Sequence, residues 1–116
     1  MSVDLTSMQA LSIWHDVVLE TVRQDGPDLS SRQLAILLSV YLSPPPHTVR
    51  GLAVKLGVSK PAITRALDTM GRYDLLKRKR DESDRRNVLV QRTVHGSVFL
   101  SELADLIVNT TKKKIL

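Results

Sequence analysis

The chain has 116 residues, 42% hydrophobic and 3% aromatic, with no cysteine. That is enough for one domain with a largely aliphatic core, and it excludes disulfides, thiolate metal sites and thiol-based redox sensing. Seventeen Lys and Arg against twelve Asp and Glu leave a formal charge of +5, which suits a polyanionic partner.

In chain order, Asp4 to Arg23 reads as an amphipathic helix, with Leu5, Met8, Leu11, Trp14 or Ile13, Val17 or Val18, and Val22 at helical spacing. Asp4 or Thr6 is placed to cap it. The apolar surface is too wide for one stripe, so part of it is expected to meet a second subunit. Gln24 to Asp28 is a turn. Ser30 and Gln33 then form a capping-box pattern. It opens a nearly all-apolar helix running to about Leu42, with Leu34, Leu37, Leu38 and Tyr41 expected inside. Pro44, Pro45 and Pro46 stop that helix and stiffen the link to the next one.

Val49 to Leu56 reads as a short helix with Leu52, Ala53 and Leu56 on one face, ended by Gly57. Val58 plugs the turn, Ser59 caps the next helix and Pro61 falls in its first turn. Over residues 59–71, Ile63, Ala66, Leu67 and Met70 face inward, while Lys60, Thr64, Arg65 and Asp68 face outward. This pattern predicts a helix-turn-helix, whose second helix lies in the major groove.

Leu75 to Arg80 and Asn87 to Thr93 read as two strands around the polar loop DESDRR. Together they make a hairpin, the wing, at 77–90. Lys77, Arg78, Lys79, Arg80, Arg85 and Arg86 crowd into ten positions and repel one another unless a polyanion is present. Thr93 is placed to cap a last helix that is apolar at Val98, Leu100, Leu103, Leu106 and Ile107 up to about Asn109, leaving Lys112 to Lys114 as a solvated tail. The charge is segregated: residues 47–92 hold twelve Lys and Arg against five Asp and Glu, and the rest holds five against seven. His15, His47 and His95 lie in three different elements without ligand spacing. No glycine-rich phosphate loop, catalytic carboxylate pair or Ser-His-Asp pattern stands out, so neither an enzyme, a metal nor a cofactor is expected. No stretch approaches about 18 uninterrupted apolar residues. The N-terminus has no signal-peptide pattern, and the expected location is the cytoplasm, away from the membrane.

The run from Leu29 to Gly96 resembles the MarR-type winged-helix transcription regulators. The matching pieces are LSSRQLAILLSVYL at 29–42, TVRGLAVKLGVSKPAITRALDTM at 48–70, the wing loop DESDRR, and Thr93 and Gly96. The resemblance implies a homodimer on palindromic DNA, usually a repressor and often released by a small ligand. Two positions depart from the family's pattern: Asp74 stands where a glycine is usual and Arg92 where a leucine is usual. Asp tolerates a left-handed backbone better than most residues, so the turn is still expected. The packing under the second wing strand is left open by Arg92. The ends are also short for the family, and with few aromatics an effector pocket is not the favoured expectation.

The expected fold is mainly α with a small β-hairpin: a winged helix-turn-helix with N- and C-terminal dimerisation helices. Terminal helices at 4–24 and 94–111 flank a DNA-binding lobe at 30–93 in a single domain. The expected function is a sequence-specific double-stranded DNA-binding regulator. A protein-interaction module and a non-specific architectural binder are the alternatives. Ser59, Lys60, Pro61, Thr64 and Arg65 are expected at or near base edges. Arg65 is the specificity residue, since a guanidinium pairs bidentately with guanine; Lys60 and Ser59 hold phosphate. Arg78 and Arg80 extend the basic surface of the wing. Arg85 or Arg86 enters the minor groove, oriented by a salt bridge to Asp84.

Overall fold

The computed structural model describes residues 4–115. Five helices and one hairpin are arranged in the order α1 (Ser7–Arg23), α2 (Ser31–Leu42), α3 (Val49–Leu56), α4 (Lys60–Arg72), β1 (Leu76–Arg80), β2 (Val88–Arg92) and α5 (Val94–Ile115). The fold is a winged helix-turn-helix, mainly α with a two-stranded antiparallel sheet. Contacts divide the chain into two units. One joins the residues up to Asp28 with those from Leu100 onward; the other is Leu29–Phe99.

In the first unit, α1 begins at Ser7, later than the apolar pattern suggested, because Thr6 caps it. The Gln9 amide donates to Thr6 Oγ1 at 3.1 Å and the Thr6 amide donates to Gln9 Oε1 at 2.9 Å. This reciprocal pair meets two donors that a helix start leaves without partners. Ile13 and Val17 are buried, whereas Leu5, Met8, Leu11, Trp14, Val18 and Val22 are exposed. Leu103 and Leu106 of α5 are half-buried. This helix runs to Ile115 rather than stopping near Asn109, so Lys112–Lys114 are helical and not a tail. Cations in a last turn are favoured by the negative end of the helix dipole. Lys114 Nζ also lies 2.9 Å from Asp16 Oδ2. The hydrogen bond from Lys114, helped by one with His15, holds the Asp16 carboxyl below its ordinary value of 3.8.

In the second unit, α2 is the central helix. Its capping box is formed by Ser30 and Gln33, and Ile36, Leu37 and Val40 are fully buried. Leu34, Leu38 and Tyr41, expected inside, are only half-buried. An almost uniformly apolar helix has little polar contrast to fix its rotation, so packing chose the face. Thr48 caps α3 by accepting from the Gly51 amide at 2.9 Å, and Gly57 ends it in the left-handed region at φ 68°. Ser59 caps α4, which buries Ala62, Ile63, Ala66, Leu67 and Met70. Asp74 adopts φ 55° and turns the chain so that Leu75 and Leu76 enter the core. The hairpin pairs Leu76 with Arg92 at its base and Arg80 with Val88 near its tip. A third segment supports it, as the Val90 amide donates to His47 O at 2.8 Å.

The base of the hairpin is fastened to α2. Tyr41 Oη accepts from the Thr93 amide at 3.0 Å, and its proton faces two carbonyl acceptors, Leu75 O at 3.1 Å and Thr93 O at 3.0 Å. Thr93 Oγ1 donates to Asp74 O at 2.6 Å and accepts from the Gly96 amide at 2.9 Å, capping α5. Gly96 is buried against this junction, and a Cβ there would collide with the Tyr41 hydroxyl and the Leu75 carbonyl. At the end of the second wing strand, Arg92 stays exposed and is held by hydrogen bonds rather than apolar contact. Its Nε donates to Val40 O and its Nη2 to Ser43 O, each at 3.0 Å, with the guanidinium 5.7 Å from the Tyr41 ring centroid.

These contacts predict opposite outcomes at two glycines. Gly96→Ala overpacks the junction and is expected to destabilise the fold by about 1–3 kcal/mol. Gly71→Ala, with open space around its Cβ, is expected to stabilise it by up to about 1 kcal/mol. Urea denaturation of both variants checks the two signs. For Asp16, a lowered folded-state pKa means that the pair with Lys114 stabilises the fold above the ordinary carboxylate value and is lost as pH falls through the lowered one. A carboxyl-carbon NMR titration is expected to place its midpoint below 3.8, and Lys114→Met to move it back up.

Candidate nucleic-acid interface

The helix-turn-helix is built so that α4 turns one side to the core and the other to solvent. Ser59, Lys60, Pro61, Thr64 and Arg65 are all exposed. Ser59 Oγ accepts from the Ala62 amide at 3.2 Å, so one of its two lone pairs serves the helix start while its proton is free to be donated. The side chains of Lys60, Thr64 and Arg65 make no hydrogen bond or ion pair among the described residues.

On the wing, strand alternation puts Lys77 and Lys79 on one face and Arg78 and Arg80 on the other. The two arginines differ. Arg78 Nη2 lies 2.6 Å from Asp68 Oδ1, an ion pair joining β1 to α4. Arg78 is therefore held laterally by α4, a pairing that sequence spacing did not signal. Arg80 is exposed without a side-chain partner among the described residues.

The loop at the wing tip is closed by its own polar groups. The Asp81 amide donates to Asn87 O at 3.2 Å and the Asn87 amide to Asp84 O at 2.9 Å. Ser83 donates through both its amide (3.0 Å) and its hydroxyl (2.7 Å) to Asp81 Oδ1, which lowers the Asp81 pKa. Asp84 grips Arg86: Arg86 Nε is 3.1 Å from Oδ1, Nη2 is 3.3 Å from Oδ2, and the Arg86 amide is 3.1 Å from Oδ1. These bonds lower the Asp84 pKa, and the charge of Arg50 at the start of α3 adds to the effect. Arg85 is exposed and has no side-chain partner among the described residues. Asp84 thus fixes one of the two tip arginines and leaves the other to extend.

Two cations of this surface were missed from sequence. Arg50 stands near Asp84, so the start of α3 and the wing tip share one charged neighbourhood. Arg32, with Ser30, Ser31 and Gln33, lines one groove with Arg65 and Thr69. The S-x-x-Q pattern gave only a helix start, and nothing local signals that this start abuts α4. Among the described residues no cluster of His, Cys, Asp or Glu is arranged to hold a metal, and no helix is long and apolar enough to cross a membrane.

Comparison with known proteins gives this arrangement a family. The chain superposes on a transcriptional regulator, Tm0710 from Thermotoga maritima, with a TM-score of 0.71 at 24% identity, covering 91% of this chain and 69% of that one. A MarR mutant from E. coli in complex with operator DNA gives 0.70 at 21% identity, with 93% and 74% covered. The transcriptional repressor CouR, bound to a 23-mer DNA duplex, gives 0.70 at 25% identity, with 92% and 72% covered. No curated protein sequence matches. The MarR family model matches residues 29–88, from the start of the lobe through the wing loop, and the chain belongs to the MarR family of transcriptional regulators.

Proposed function

We propose that this chain is a sequence-specific double-stranded DNA-binding regulator that acts as a homodimer on a palindromic site, with α4 in the major groove and the wing at the minor groove. One observation carries the reading: cations without partners in the lobe are gathered on the outward side of α4 and on the wing, with Arg32 and Arg50 beside them. Lys60 and Arg65 project from the recognition helix, while Arg80 and Arg85 project from the hairpin. Two of the structural relatives are themselves bound to DNA, which supports the same use of the lobe here. Arg65 reads base edges, Lys60 and Ser59 hold phosphate, and the wing-tip arginines meet the minor groove, with Asp84 fixing the pose of Arg86. Arg32 and Arg50 add contacts to the phosphate backbone, which position the protein without reading sequence.

The dimer reading rests on α1. Its exposed stripe of Met8, Leu11, Trp14, Val18 and Val22 includes Met8 at 73% and Leu11 at 63% exposure. Contiguous apolar surface of this kind marks an interaction site, and a second copy of the same helix offers a self-complementary face. Two recognition helices related by a two-fold axis read half-sites centred about 34–36 Å apart.

Selection of bound duplexes from a random pool at near-physiological salt tests the function. An enriched palindrome is expected. Retention without an enriched motif would mean a non-specific binder, and no retention would favour a protein-interaction module. On the selected site, Arg65→Ala is expected to flatten the preference at one base pair, losing about 1–3 kcal/mol of discrimination, with a smaller change in overall affinity. Leu11→Glu is expected to turn a dimer into a monomer in sedimentation and to weaken palindrome binding. A variant that remains a dimer would remove α1 from the interface.

A further inference from the structure

The last turn of α2 runs directly into three prolines. A helix ends with carbonyls that lack intrahelical donors, and the residue four positions on ordinarily supplies the next amide. Here the residues four beyond Val40, Tyr41 and Leu42 are Pro44, Pro45 and Pro46, none of which has an N–H. Arg92, at the base of the wing, supplies donors from another element, bonding Val40 O and Ser43 O through two nitrogens of one guanidinium. Ser43 O also accepts from His47 Nε2 at 3.1 Å, and Ser43 Oγ accepts from Lys55 Nζ at 3.2 Å. The negative end of the α2 dipole is therefore met by Arg92 from β2, by His47 from the linker and by Lys55 from α3. Of these, only Arg92 belongs to the hairpin, and it does so at the pair Leu76–Arg92 that starts the ladder.

We infer that Arg92 is a positioning residue: its two-pronged grip on the end of α2 sets the angle at which the wing leaves the lobe, and so sets minor-groove reading separately from major-groove reading. The inference rests on the proposed DNA-binding function. The separation is physical. The recognition helix is fixed by its own cap at Ser59 and by five buried side chains, none of which touches the guanidinium by a hydrogen bond. The hairpin has a two-stranded ladder, and a two-stranded hairpin is marginal alone, so its direction depends on what holds it: the Arg78–Asp68 pair ties β1 to the side of α4, the Val90 amide ties β2 to His47, and Arg92 ties the base to the end of α2. Lysine cannot reproduce the grip, because a single ammonium lacks the planar fork that meets two fixed acceptors. Arg92 is itself exposed, but its guanidinium is committed to these two carbonyls.

The test uses duplexes selected by the wild-type protein and altered in two ways: within the half-site read by α4, and in the A·T content of the flank read by the wing. Arg92→Met is expected to reduce flank discrimination five- to tenfold while half-site discrimination stays within twofold. Arg92→Lys is expected to recover part of it. Arg86→Ala should produce the same selective loss, and the double variant should lose little more than either single one, as coupled residues do. Amide exchange provides a readout without DNA. In Arg92→Met the Val90 amide is expected to exchange at least tenfold faster, with Ile63 in α4 unchanged. Unchanged flank discrimination, or equal losses at flank and half-site with both amides accelerated, would overturn the inference. If the wild type selects no duplex, the DNA-binding reading fails. The exchange ratio then decides alone whether Arg92 holds the wing.

Discussion

The lobe depends on one polar junction at the end of its central helix. The Tyr41 hydroxyl sits between the Leu75 carbonyl, just after the end of α4, and the Thr93 amide, where the wing gives way to α5. Three elements distant in sequence are thereby held by one side chain. A phenol suits the place because its ring packs as an apolar body while the oxygen serves as donor and acceptor together. The hydrogen bonds it makes there are part-buried, and a buried amide or carbonyl left without a partner costs about 1–3 kcal/mol. The absence of a side chain at Gly96 is what lets the first turn of α5 come this close.

Much of this was legible in the sequence because it is local. Ser30 with Gln33, Ser59 before Pro61, Gly57 and Thr93 each act on a backbone group within a few residues, and each was readable from spacing alone. Asp74 was readable as a substitute for glycine, since its short polar side chain tolerates the left-handed region it occupies. The buried side of α4 was readable because its polar and apolar residues alternate at helical period.

What was not legible is relational. The rotation of α2 was set by neighbours, since an apolar residue at nearly every position gives no preferred face. Arg78 and Asp68 lie ten positions apart in different elements, and their pairing appears only once the hairpin folds beside the helix. Arg92 looked like a charge placed where an apolar residue belonged. Its partners are carbonyls at a proline-stopped helix end far earlier in the chain. The apolar surface of α1 is legible as too wide for one stripe, but which residues are covered is not. The fold divides it into a covered side, Ile13 and Val17, and an open one.

The same division governs the charges. Arg78, Arg86 and Arg92 have partners within the lobe, and their positions are fixed before any ligand arrives. Lys60, Thr64 and Arg65 have none among the described residues, so no fold-stabilising bond is lost when one of them is replaced. Surface substitutions of that kind usually change stability by less than about 0.5 kcal/mol. The outward side of α4 is therefore a replaceable panel on a fixed frame. A handful of exposed side chains there can be exchanged while the junction at Tyr41 stays intact.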